Sequence, residues 1–194
     1  MRGLPIMGVL APLWHKELQR FASDKRGLAA VEFAMIAIPF FLLIFGLLEV
    51  CVIFIMSSVL EHGASEAARS LRTGQFQQAG FDESRFKTDI CDELFGLMSC
   101  DSKLSLDVKT FDDFAGAGNP DPIDPATGDL DTGSFTFSPG AQNQIVVVRV
   151  FYEWDLIIPV LSAPLANMSS DRRLLQATIA FRNEPFGNSS ATGT

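Results

Sequence analysis

Hydrophobic and polar positions divide this chain into unlike parts. Positions 33–48 form an uncharged run of 16 residues, and 50–60 are uncharged again after the single carboxylate of Glu49. A hydrocarbon core about 30 Å thick is crossed by about 20 apolar residues in a helix. A helix over 28–60 would be about 50 Å long at a rise of 1.5 Å per residue, so it outruns a bilayer and has to continue as a stem. Glu61, Glu66, Arg69 and Arg72 mark the wet side of that stem. Ala64, Ala67, Ala68 and Leu71 recur at helical spacing and predict one packed face. Gly74 is the expected stop. Pro39 removes a helical hydrogen bond inside the span, which predicts a kink or local melting over 35–39. It is read either as an ordinary kink of a membrane helix or as a flexible point.

Beyond the stem the pattern changes. Residues 82–98 read as a helix, with Asp82 or Ser84 as cap and Phe86, Ile90, Leu94 and Leu97 on one stripe. Positions 104–108 alternate as a strand, 145–154 is the strongest strand, and 172–182 is a last strand of mixed character. Residues 115–140 are rich in Gly, Pro, Asp and Ser and predict a long loop. The apolar stretch 156–160, interrupted by Pro159, together with Leu161 and Leu165 suggests a flap that touches a partner or a membrane surface. The expected fold is α+β: a long N-terminal transmembrane helix continuing as a stem, then a small domain with a helix and an antiparallel sheet of about three strands. The segmentation is 1–27 leader, 28–74 helix and stem, 75–187 α+β domain and 188–194 polar tail.

Charge gives this layout a direction. Residues 1–26 carry a net +3 and residues 27–60 a net −2, leaving −9 for the rest of a chain whose total is −8. A basic flank before an apolar span predicts a cytoplasmic N-terminus and an exported body, by the positive-inside bias. A cleaved secretory signal fits poorly, because its apolar core would be shorter and end in a small-x-small site. The acidic body excludes a basic footprint for nucleic acid. No nucleophile with a base, phosphate loop or metalloprotease motif stands in the sequence, so no catalytic residue and no cofactor is expected.

Cys91 and Cys100 are the two cysteines beyond the span. On a straight helix they would stand about 13 Å apart, too far to bridge, but Gly96 can end the helix and turn the chain back. An oxidising compartment favours a disulfide over free thiols. A metal site would need further ligands, and His15 and His62 lie in other regions, so no metal is expected. Cys51 reads as a packing residue buried in the span. Asp121, Asp124, Asp129 and Asp131 do not have EF-hand spacing and read as a solvated acidic loop.

The most telling stretch is Lys25-Arg26-Gly27-Leu28-Ala29-Ala30-Val31-Glu32-Phe33. A basic pair, a glycine and a carboxylate five residues later stand at the mouth of the apolar span. This pattern resembles the processing site of prepilins and pseudopilins. The longer match from Gly27 through Glu49-Val50 resembles the TadE-like family of tight-adherence pilus assembly proteins. The Phe45-Gly46-Leu47-Leu48-Glu49 ending of the span and Phe181-Arg182-Asn183-Glu184-Pro185-Phe186 also resemble members of that family.

The resemblance implies a non-enzymatic pseudopilin or pilus assembly protein of a bacterial inner membrane. A prepilin peptidase would cut it between Gly27 and Leu28. Its partners would be membrane lipid, other pilin or pseudopilin subunits and the inner-membrane assembly platform. Glu32 would then be the fifth mature residue, paired with a neighbouring subunit's α-amine. Read from the residues alone, it is equally a first-turn acid or a headgroup-level acid. Glu49 is a partner-contact candidate or an interfacial acid. The alternative function is an uncleaved single-pass anchor whose exported domain binds a secretion-channel or envelope partner.

Overall fold

The computed structural model describes residues 27–158 and 162–186. Residues 1–26 of the expected 1–27 leader, Pro159, Leu161 and the tail from 188 lie outside the described residues. The first element, α1, is a single helix over Leu28–Arg72. It runs unbroken through Pro39, so the local melting expected there is absent. Two compact units divide the chain, with their boundary between Phe45 and Gly46 inside α1.

In the first unit, α1 is apolar on all sides and exposes Phe33, Met35, Ile36, Ile38 and Leu43 alike. A helix hydrophobic all round has no core face, and water is a poor solvent for it. α1 is the one helix among the described residues that is long and apolar enough to cross a membrane.

In the second unit the same helix becomes one-sided. Leu60, Ala64, Ala67, Ala68 and Leu71 are buried, while Glu61, Glu66 and Arg69 stay exposed. Small side chains on this face let neighbours approach closely: a Cβ placed on Gly63 would meet the Ile90 carbonyl at 3.3 Å. Gly74 ends the turn with φ 77, and the Phe186 ring occupies the space a side chain there would need. A short helix α2 (Gln75–Ala79) and then α3 (Glu83–Glu93) follow. The Asp82 carboxylate caps α3 by accepting from the Arg85 N–H at 3.0 Å.

α3 ends earlier than the stripe of apolar residues suggests. Phe95 and Gly96 both take left-handed backbone, φ 54 and 69, and reverse the chain. Phe86, Ile90 and Leu94 are buried, but Leu97 is 52% exposed and lies outside the stripe. The reversal brings Cys100, which opens α4 (Cys100–Lys103), to a Cα distance of 6.1 Å from Cys91, and the two form a disulfide.

Three antiparallel strands complete the body: β1 (Leu104–Phe111), β2 (Ile145–Asp155) and β3 (Arg172–Arg182), in that order across the sheet. A four-residue helix, α5 (Ser162–Leu165), precedes β3. Alternation sorts the side chains. Leu106, Val108, Val146, Val148, Val150, Leu175 and Ala177 share one core with the stem and α3. β2 is buried on both faces, because the loop between β1 and β2 folds over the outer one. There Phe151 packs with Met168 and Leu174, under Ile123, Leu130 and Phe135. That loop is therefore a lid on the sheet rather than a solvated excursion. Its aspartates hold its turns: Asp121, Asp124 and Asp131 accept backbone N–H groups two residues on. α2, the lid and the residue after β3 converge on the Pro139 carbonyl, which accepts from Gln77 at 2.9 Å and Asn183 at 3.0 Å.

Replacing Cys91 and Cys100 together by alanine should lower stability by about 2–3 kcal/mol, the entropy of so short a closed loop. Chemical denaturation of the full chain in detergent, with and without reductant, measures it. Alkylation of both Cys91 and Cys100 in the unreduced chain, beyond the free Cys51, would overturn the bridge.

Candidate functional site

Gly27 directly precedes α1, so the Gly27–Leu28 peptide bond joins the last residue before the helix to its first residue. Among the described residues nothing lies within 4 Å of a Cβ built on Gly27, and Gly27 and Leu28 are both exposed. Glu32 is the fifth residue of the helix and is also exposed. The first turn holds no acidic residue, so Glu32 is not the first-turn cap that its position suggested. It lies one turn along from Leu28, on the same face of α1. No hydrogen bond or ion pair within the described chain engages it.

Glu49 is differently placed. It is 2% exposed and sits on the face of α1 that meets the body. Its Oε1 accepts the backbone N–H of Ile157, 108 residues away, at 3.0 Å. Oε2 is buried with no hydrogen-bond partner among the described residues. Ile157 itself is 64% exposed. Leu156 and Leu165, by contrast, pack against the main core. The expected apolar flap is thus partly core, with Ile157 as its exposed member. Sequence spacing gave no signal for the Glu49–Ile157 contact, because neither residue belongs to a motif that names the other. Cys51 is exposed on α1 rather than buried.

The most buried ionic group lies on the outer face of the sheet, and sequence reasoning did not single it out. The β1–β2 register sets Asp107 directly across from Arg149. They are 1% and 4% exposed. Arg149 Nε donates to Asp107 Oδ2 at 3.1 Å, and Nη1 donates to the Pro120 carbonyl of the lid at 3.0 Å. The Thr136 N–H donates to Asp107 Oδ1 at 3.0 Å, and Lys109 Nζ stands 3.1 Å from Oδ2. Burial alone would push the Asp107 carboxyl up. The hydrogen bonds from Arg149, Thr136 and Lys109 outweigh it and hold the group below the ordinary aspartate range. Strand register could have found this pair, since opposite charges at facing positions of adjacent strands attract.

A cavity of about 250 Å³ opens beside Asp107 and Arg149, lined also by Lys109, Phe111 and Pro120. Its charged groups are already engaged with one another, which leaves the pair a structural clamp on the lid. Among the described residues, no three or more His, Cys, Asp or Glu side chains are grouped to hold a metal.

The family model described as TadE-like protein matches residues 27–69, the stretch from the glycine before α1 to the stem. No curated protein and no solved structure matches the chain.

Two outcomes follow from this geometry. Removing the Glu49 carboxylate leaves the Ile157 N–H unpaired, so Glu49→Ala should cost about 1–3 kcal/mol and Glu49→Gln much less. Denaturation of the full chain in detergent compares them. Asp107 has a depressed folded pKa, so its stabilisation is complete above the unfolded value of about 3.9 and is lost as pH falls through the lower folded value. Stability should therefore hold at neutral pH and drop steeply below pH ~4. Asp107→Asn should lose about 3–5 kcal/mol at neutral pH, because Arg149 is left buried without its countercharge, and should flatten the acid limb. Denaturation midpoints read against pH check both.

Proposed function

We propose that this chain is a non-enzymatic component of tight-adherence pilus assembly, held in a bacterial inner membrane by α1 with its body on the exported side. The observation that carries this reading is the TadE-like match over residues 27–69, which begins at the glycine preceding the helix. The exposed Gly27–Leu28 bond at the mouth of an all-round apolar helix supports processing there by a prepilin peptidase. The basic flank before it supports a cytoplasmic location for that bond.

Cleavage would leave a positively charged α-amine on Leu28 at the N-terminal end of a helix, where the dipole already presents positive charge. A carboxylate one turn away offsets that arrangement. Glu32 is placed to do so, within its own chain or for the α-amine of a neighbouring pilin or pseudopilin subunit. Two opposite unit charges in contact at an effective dielectric near 20 attract by about 4 kcal/mol, offset by their desolvation, so such a pair chiefly sets register between chains. Glu49 would meet a partner through Oε2 only where the segment at Ile157 moves aside, since the residue is 2% exposed and its Oε1 is committed to Ile157.

A second reading has its own support. An uncleaved anchor whose body engages a secretion-channel or envelope protein would use Ile157, which is exposed beside the buried Glu49.

N-terminal sequencing of membrane-extracted protein decides between the two. Processing predicts a mature chain that begins at Leu28, and Gly27→Trp should leave the longer precursor. An intact start, with no size change on Gly27→Trp, sinks the processing claim and leaves the uncleaved anchor.

A further inference from the structure

The sheet has two edges, and the fold treats them differently. On the β1 side, residues 136–138 run alongside as cover: the Val108 N–H donates to the Thr136 carbonyl at 2.7 Å, and the Ser138 N–H donates to the Val108 carbonyl at 2.8 Å. The β3 side has no such cover over most of its length. The Leu174 N–H points away from β2, since it donates to Asn167 Oδ1 at 2.7 Å. By alternation the N–H and C=O groups of Gln176, Thr178, Ala180 and Arg182 also face outward. Among the described residues, no hydrogen bond engages the backbone groups of Gln176, Thr178 and Ala180 on that side. Natural sheets blunt a long edge with lysine, proline or a bulge. Positions 174–181 contain none of these, and the β2–β3 register is continuous from Ile145↔Arg182 to Asp155↔Arg172.

Beside this edge lies a groove of about 310 Å³ between the stem and β3, lined by Ser65, Ala68, Arg69, Arg72, Ile179 and Phe181. The half-buried Ile179 and Phe181 give it an apolar floor. Its lining carries Arg69 and Arg72 against one acid, Glu66, and Arg72 is shared with Glu184 at 3.5 Å. Arg182 follows Phe181 at the end of β3, exposed and with no ion-pair partner among the described residues. A second copy of β3 fits this edge poorly. Full antiparallel overlap about Ala177 would need the outward Arg172 carbonyl, which already accepts from the Asn167 and Met168 N–H groups at 3.2 and 3.1 Å, and the Leu174 N–H, which Asn167 Oδ1 already holds.

We infer that the open edge of β3 takes up one further strand from a different protein, an extended segment that alternates apolar and acidic residues. Its backbone would pair with Gln176, Thr178 and Ala180, its apolar side chains would cover Ile179 and Phe181 on the inner face, and its carboxylates, on the opposite face, would meet Arg182. Main-chain pairing supplies affinity in such strand addition, and the alternating side chains supply selectivity. This inference rests on the body alone and stands whether or not the bond after Gly27 is cut.

The test is amide hydrogen exchange on the full chain in detergent, with two synthetic eight-residue peptides as probes. One alternates valine with glutamate and the other valine with lysine. The glutamate peptide should slow exchange about tenfold at Gln176, Thr178 and Ala180, and the lysine peptide should not. Thr178→Pro removes an outward donor that β2 does not use, and it should abolish the slowing without a shift in thermal midpoint. Should that variant fail to fold, Arg182→Glu keeps the backbone intact and should reverse the preference between the peptides. No slowing with the glutamate peptide, equal slowing with both, or slowing spread evenly over β3 and the core overturns the inference.

Discussion

One helix has to satisfy two surroundings, and the rest of the structure depends on how it does so. The first part of α1 exposes large apolar side chains in every direction, which suits a hydrocarbon solvent and no other. The second part sends small residues to one side and charges to the other, which suits a packed interface with water behind it. Ala64, Ala67 and Ala68 contribute little hydrophobic area themselves. Their value is close approach, which lets α3 and the sheet bury Leu60, Phe86, Ile90 and Val148 together. Each large side chain fully buried in that way stabilises the fold by about 1.5–3 kcal/mol. Enlarging the alanines would therefore harm the body without touching the apolar half of the helix.

The sheet passes the same constraint outward. With one face committed to the stem, the central strand β2 needs a second cover, and the lid between β1 and β2 provides it. The buried Asp107–Arg149 pair makes that cover specific. A buried ion pair is weak evidence for net stability, since desolvation consumes most of the attraction. Here, however, Arg149 reaches the Pro120 carbonyl and Asp107 holds the Thr136 N–H, so one pair fixes both flanks of the lid. An apolar pair of equal volume would fill the space and leave the lid without a register.

The parts of this fold that were legible in the sequence are those governed by local periodicity. The stem face, the stop at Gly74 and the strands 145–154 and 172–182 follow from spacing and composition, and each sits within a residue or so of the observed element. The parts that were not legible depend on contacts distant in the chain. α3 stops at Glu93 because Phe95 and Gly96 reverse the chain, although Leu97 continues the apolar stripe. The lid reads by composition as a long solvated loop, yet its aspartates hold turns in a segment that covers Phe151. Glu49 shows the limit most clearly. Its burial depends on Ile157, and a carboxylate in an apolar run carries no local sign of which distant N–H it will hold.

The two glutamates of α1 therefore stand in different physical positions, although each is a lone acid in an apolar setting. Glu32 is exposed and engages nothing within the described chain, so any interaction that repays its place at the mouth of the helix has to come from a new α-amine or another molecule. Glu49 has spent one oxygen on its own body. Moving that residue into lipid, or lifting the body from the stem, would strand both the carboxylate and the Ile157 N–H. The carboxylate thus ties the segment after β2 to a fixed level on the helix. Sliding α1 past its body by one turn would break that bond and misplace the Ala64–Leu71 face in the same movement. Register along the stem is accordingly set twice, once by the shape of small residues and once by a single buried hydrogen bond.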